Sequence, residues 1–226
     1  MPTNTTPELT ELWKHDDPAA SQNSFMELMP AAEAAADNAY TVGLLSQIAR
    51  AQGLQRNYEA ANASLDRAKK LLDSGEPQLM QAALVSYLLE RGRIYRASGY
   101  EDRAEDYFLE AYEMALDCSE TAMAIDAAHM LGLTLTGNES TDWFERALKH
   151  SGTGLNAQAR RWEAPLCELL GRIHAEDGRE EDARRLFGEA AQLRHSLGLA
   201  VGGELKCSGV ACACPESLTD GSLLVL

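Results

Sequence analysis

Residues 88–115 read LLERGRIYRASGYEDRAEDYFLEAYEMA. Gly92 and Gly99 interrupt a run otherwise made of strong helix formers, and a glycine inside a helix costs about 1 kcal/mol relative to alanine. The residues C-terminal to them give the reason. Ala104, Phe108, Ala111 and Ala115 recur at steps of four, three and four, which is the stripe of one helix face. The pattern predicts two helices joined at Gly99, because glycine takes the left-handed conformation of a helix C-cap without steric cost. Small residues at 92, 104 and 111 let the two helices approach closely, while Leu88, Tyr95 and Phe108 fill the remaining volume. Gly92 is thus a packing residue that accepts a propensity cost for contact.

The same scheme recurs. Residues 167–194, CELLGRIHAEDGREEDARRLFGEAAQLR, fall onto 88–115 without a gap, pairing Gly92 with Gly171, Gly99 with Gly178, Ala104 with Ala183 and Phe108 with Phe187. An earlier stretch, Leu44 to Leu72, follows the scheme with two extra residues in the turn: Ser46 stands at the first glycine position, Gly53 at the second, and Ala61, Leu65 and Ala68 form the stripe. Between the good copies lies a worn one, where DWFERALKH (142–150) restores Phe144 and Ala147 but the preceding DAAHMLGLTLTGNES lacks clean spacing.

The order leucine, glycine, tyrosine, glycine, alanine, phenylalanine, alanine resembles the tetratricopeptide repeat, a two-helix unit of roughly 34 residues. Residues 88–115 match almost every signature position; 167–194 depart at Cys167 and His174, and the first copy departs at Ser46 and Ala49. The finer pattern is similar to bacterial-type tetratricopeptide proteins of unassigned role. The resemblance implies an all-α fold of helical hairpins stacked in a right-handed superhelix, an α-solenoid. Its expected units are 37–72, 80–117, 119–150 and 158–198. Residues 1–36 are expected to carry a capping helix starting at Asp17, where aspartate caps and Pro18 suits the first turn. Residues 199–226 read as an irregular tail.

Composition agrees with this reading and excludes others. The chain has 226 residues, 45% hydrophobic, and a formal net charge of -15. So acidic a balance argues against a general nucleic-acid surface, which needs a concentrated positive field. No stretch is apolar over the length of a membrane span, and the first residues lack the basic and apolar regions of a secretion signal. A cytoplasmic protein without membrane contact is expected. Five cysteines form no convincing disulfide framework, and the CSGVACAC cluster (207–214) matches no zinc spacing. His129 and His174 read as packing residues on buried faces, and His150 and His195 as residues at helix C-termini, where the dipole favours positive charge. No cofactor or catalytic constellation is read, so no enzyme is expected.

In the tetratricopeptide family the first helices of successive units line a concave groove in which partner segments lie. Carried over by position, this implies a groove face with Gln47 and Arg50 in the first unit, Leu89, Arg93 and Arg96 in the second, and Arg172 in the fourth. Four arginines on the inner surface of an acidic protein suit an acidic segment or a peptide C-terminus. The resemblance does not extend to the carboxylate clamp of chaperone-binding members, because Glu90 stands where that clamp has asparagine. The expected function is a non-enzymatic protein–protein interaction scaffold or adaptor. The alternative is a helical regulatory or sensor domain with a small-molecule pocket. The array ends without an evident polar capping helix, so Leu186, Phe187, Ala190 and Leu193 would be partly exposed and drive self-association.

Overall fold

The computed structural model describes residues 7–14, 16–153 and 157–196. Among these the helices are α1 (Pro18–Ala34), α2 (Asn38–Leu54), α3 (Tyr58–Ser74), α4 (Gln81–Ala97), α5 (Glu101–Asp117), α6 (Thr121–Thr134), α7 (Gly137–Thr153), α8 (Ala157–Arg160), α9 (Glu163–Glu176) and α10 (Glu180–Ser196). Short 3-10 turns stand at Leu9–Leu12 and Pro77–Leu79, and no strand occurs among the described residues. The hairpins α2/α3, α4/α5, α6/α7 and α9/α10 pack side by side, and α2, α4 and α6 touch across neighbouring hairpins. The chain is an all-α repeat solenoid. The tail expected at 199–226 lies outside the described residues.

First and second helices of each hairpin are built differently. α5 buries only Ala104, Phe108, Ala111 and Ala115, the stripe read from the sequence, and its other faces are solvated. α4 buries ten residues, including Glu90, Arg91 and Arg93, because α2, α3, α5 and α6 flank it on several sides. Its hydrophobic pattern is correspondingly all-round rather than one-sided. At the N-terminal end α1 covers α2 with Phe25, Met29 and Ala32. Asp17 caps it as expected, its Oδ1 accepting the Ala20 N–H at 2.9 Å, with Pro18 in the first turn.

Five inter-helix turns share one geometry. In each, the residue after the C-cap has positive φ: Ala36 (52°), Arg56 (59°), Gly99 (80°), Ser119 (62°) and Gly178 (76°). The next residue donates its backbone N–H back across the helix end, as in Tyr100 to Tyr95 O at 2.9 Å and Asn57 to Gln52 O at 2.9 Å. This is the Schellman arrangement, which satisfies otherwise orphaned carbonyls. Glycine fills the position in only two of the five, so the turn survives the strain of a side chain where the flanking helices hold it.

That geometry corrects the register of the first repeat. α2 and α4 are both 17 residues long and both are followed by three-residue turns. Aligned without a gap, Ala49 rather than Ser46 occupies the Gly92 position, and Arg56 rather than Gly53 occupies the Gly99 position. No extra turn residues exist. Gly53 instead permits contact between hairpins, since a Cβ there would lie 2.6 Å from Ile94 Cδ1.

The third repeat is likewise not worn. α6 and α7 form a complete hairpin in which a Cβ on Gly132 would stand 2.5 Å from Phe144 Cε1. The corresponding distances are 2.5 Å from Gly92 to Phe108 and 2.9 Å from Gly171 to Phe187. Its irregular spacing arises because α6 is 14 residues long, shorter than α4.

Two glycine substitutions should therefore act in opposite directions. Gly92→Ala drives a methyl group into the fully buried Phe108 ring and should destabilise the protein by about 1–3 kcal/mol. Gly188→Ala, mid-helix in α10 with nothing within 4 Å among the described residues, should stabilise it by about 0.5–1 kcal/mol. Urea unfolding of both variants checks the pair; a neutral or stabilising Gly92→Ala would refute the packing role of Gly92.

Candidate functional site

The first helices expected to line the groove are α2, α4, α6 and α9, of which α2, α4 and α6 touch in succession. The first segment of this face is already occupied. Residues 7–13 run along α2: Tyr40 Oη donates to the Pro7 carbonyl at 3.0 Å, and Trp13 Nε1 donates to Gln47 Oε1 at 2.8 Å. The Arg50 guanidinium lies 5.3 Å from the Trp13 ring centroid, a cation–π geometry. Gln47 and Arg50, both expected on the groove, thus do lie together on one stripe of α2, beneath a segment of their own chain.

Beyond Arg50 the face becomes a chain of alternating charges. Arg50 Nη1 stands 3.8 Å from Glu90 Oε1, and Glu90 Oε1 accepts from Arg93 Nη1 at 2.5 Å. Arg93 Nη2 then reaches Asp126 on α6, at 2.5 Å from Oδ1 and 2.6 Å from Oδ2. The series Arg50, Glu90, Arg93, Asp126 links three helices and carries no net formal charge. Glu90 and Arg93 are only 2% and 8% exposed. Burial dominates the protonation of each member, but the neighbours decide the outcome at several. Arg93 is held above its ordinary pKa by Asp126 and Glu90, and Asp126 below its own by Arg93 and Arg50, whereas burial leaves Glu90 raised and Arg50 lowered. Glu90 Oε2 and Arg93 Nε have no hydrogen-bond partner among the described residues.

These positions change the expected groove. Arg93 is a buried tie between α4 and α6, not an open anion site. Leu89 does not face the groove either: at 3% exposure it belongs to the core, because α4 is surrounded by helices. Arg96 is half-buried and donates to the Leu133 carbonyl at 3.1 Å. Arg172, also half-buried, has no ion-pair or hydrogen-bond partner among the described residues; its neighbour Glu168 pairs with Arg194 at 2.6 Å. Of the four arginines, then, two are matched by carboxylates inside the fold. At the far end Leu186 and Ala190 are buried, and only Phe187 and Leu193 retain partial exposure.

Asp126 and His129 were the less obvious members. Both lie in DAAHML, where an aspartate within an otherwise apolar helix is the signal that a buried partner exists elsewhere. His129 is 2% exposed, packs against Phe144 and Trp162, and its Nδ1 has no partner among the described residues. Burial pulls its pKa down to about 4, against a smaller upward pull from Asp126. His150, in the last turn of α7, bonds Tyr112 Oη at 2.9 Å, and burial and Lys149 lower its pKa rather than the helix dipole raising it. Burial pushes the Cys167 thiol up to about 11, ahead of Glu189 and Glu163, so it is a packing group rather than a thiolate. Among the described residues no cluster of three histidine, cysteine or acidic side chains could hold a metal ion, and no helix is long and apolar enough to cross a membrane.

A cavity of about 530 Å³ opens elsewhere, between α3, α4 and α5 beside the Pro77–Leu79 turn. Leu72, Met80, Leu84, Tyr87, Tyr107 and Met114 contribute to its walls.

Comparison with known proteins agrees with this geometry. Residues 85–118, the α4/α5 hairpin with its flanks, match the tetratricopeptide repeat family. The fold is similar to the crystal structure of BtubC (BKLC) from P. vanneervenii, with a TM-score of 0.64 and 16% identity, covering 89% of this chain and 83% of that one. No curated protein matches the sequence.

The buried histidine gives a pH signature. In the unfolded chain His129 takes a proton below about 6.5, whereas in the folded protein it does so only below about 4. Its contribution is therefore present above pH 6.5 and lost as pH falls toward 4. Between pH 7 and 5 wild-type stability should fall by about 2 kcal/mol more than that of His129→Leu. Urea titrations at the two pH values measure this; equal falls would contradict the burial of a neutral ring.

Proposed function

Starting from a chain built of tetratricopeptide-like hairpins, repeats that generally mediate interaction between proteins, we propose a non-enzymatic scaffold or adaptor. It holds a short partner segment along the inner face of α2, α4, α6 and α9. One observation carries this reading: a short segment, residues 7–13, lies along the inner stripe of α2 with directed polar contacts at Tyr40 and Gln47. A first helix that accepts one segment has the chemistry to accept another. Arg172, half-buried on α9 and without an ion-pair or hydrogen-bond partner among the described residues, supports a place for that segment.

The electrostatics refine the partner. Attraction for an acidic segment rests on Arg96 and Arg172, since Arg50 and Arg93 stand beside Glu90 and Asp126. Charge reversal at Arg93 would leave two buried carboxylates against a third and unfold the site, so it is not a clean probe of binding. The alternative, a sensor of a small molecule, has the cavity between α3, α4 and α5 as its place. A cytoplasmic setting suits either reading.

A peptide array at low and high salt, with a thermal-shift screen of metabolites, separates the two. Acidic peptides should bind, weaken as salt rises, and lose about tenfold or more in affinity when Arg96→Glu and Arg172→Glu are combined, with helical circular dichroism retained. Unchanged binding by that double variant removes the acidic partner. Thermal shifts with metabolites and no peptide binding at all would replace the scaffold with the sensor.

A further inference from the structure

Residues 7–13 pack Leu9, Leu12 and Trp13 against the core, and they also meet α2 through directed contacts of the kind a recognition element makes. Tyr40, Gly43, Gln47 and Arg50 lie three or four residues apart on α2 and form one stripe. Each meets a different feature of residues 7–13. Tyr40 Oη reaches the Pro7 carbonyl, Gln47 takes the Trp13 indole proton, and Arg50 faces the indole ring. Gly43 is the most telling. A Cβ built on it would meet Leu9 Cδ1 at 2.9 Å, the one contact within 4 Å among the described residues outside its own helix backbone. The missing side chain therefore makes room for Leu9 alone, at a helix-interior position where glycine is otherwise unfavourable.

The segment is only partly sheltered. Leu9, Leu12 and Trp13 are only half-buried, and the 3-10 turn has no side-chain cap and no buried residue. Beyond α2 it is anchored by the packing of Leu9, Leu12 and Trp13 on the core, including the edge-on contact of Trp13 with Phe25 at 5.3 Å, and just after it by the Lys14 backbone N–H donating to Ser21 Oγ at 2.8 Å. A shaped, polar-addressed surface under a partly sheltered segment is what a displaceable internal ligand needs, since covalent attachment supplies a high effective concentration without strong contacts.

We propose that residues 7–13 are an internal plug of the first unit, and that the stripe beneath binds a partner segment of the same chemistry. That segment presents leucine, then leucine three residues on, then tryptophan at the next position, with the indole proton directed at Gln47 and the ring over Arg50. This rests on the scaffold reading and names what its first unit takes.

The test uses a fluorescein-labelled peptide of residues 7–14, PELTELWK, and the full chain. Anisotropy should show Trp13→Ala binding the peptide at least tenfold more tightly than wild type, whose stripe is filled in cis. Adding Gln47→Ala to Trp13→Ala should weaken that binding by tenfold. Equal binding by wild type and Trp13→Ala overturns the proposal, as does absence of binding to a Trp13→Ala chain with native helical circular dichroism. Should Trp13→Ala lose helicity, Leu9→Ala, which loosens the plug at Gly43 alone, is read against the same two outcomes. Peptides from the array that bind while PELTELWK does not would leave the scaffold intact and sink this inference only.

Discussion

Everything in this molecule depends on how near two antiparallel helices can come. In three hairpins the distance is set by one contact, the edge of a phenylalanine ring laid on a glycine: Phe108 on Gly92, Phe144 on Gly132 and Phe187 on Gly171. Glycine weakens the helix that carries it. The return is an aromatic ring seated against backbone, buried at Phe108 and Phe144 and partly exposed at Phe187, with alanines at 104, 111 and 115 allowing the rest of the second interface to close. The first hairpin reaches the same architecture with Ala49 and Leu65, a smaller bulge against a slightly larger floor.

Close pairing has a consequence for charge. When hairpins stack, the first helices become central and lose contact with water on nearly every side, yet α4 still carries glutamate and two arginines among its buried residues. A buried ion is costly alone and tolerable in a matched series. The series Arg50, Glu90, Arg93, Asp126 provides that match across three helices. It ties neighbouring units in register more than it adds stability, and it takes Arg93 away from any guest. Under the proposed reading, the positions left for a guest are the stripe of α2 under residues 7–13, Arg96 on α4 and Arg172 on α9.

Much of the fold was legible because its cause is local. The stripe Ala104–Phe108–Ala111–Ala115 and the left-handed turn at Gly99 follow from helical periodicity and glycine's freedom, and both hold in the structure. The first repeat misled because its turn uses Arg56 at φ 59° instead of glycine; a sequence search for glycine then seizes on Gly53, whose reason is contact with Ile94. The third misled because α6 is shorter, which moves Gly132 out of the expected spacing. At the candidate site the arginines were legible as residues, but their burial and pairing were not. Glu90 to Arg93 is a local pair, whereas Arg93 to Asp126 joins residues from different hairpins, and only the stacking of α4 on α6 brings them together. The contact of Trp13 with Gln47 is long-range in the same way.

The glycine–phenylalanine contact is measured most directly by a double-mutant cycle in urea combining Gly92→Ala with Phe108→Leu. If the ring sets the approach, the two changes are strongly coupled: the added methyl group should be destabilising beside phenylalanine and close to neutral beside leucine, a coupling of about 1 kcal/mol or more. Additive effects within about 0.5 kcal/mol would mean that Gly92 is indifferent to Phe108, and that the hairpins are held at their spacing by something else.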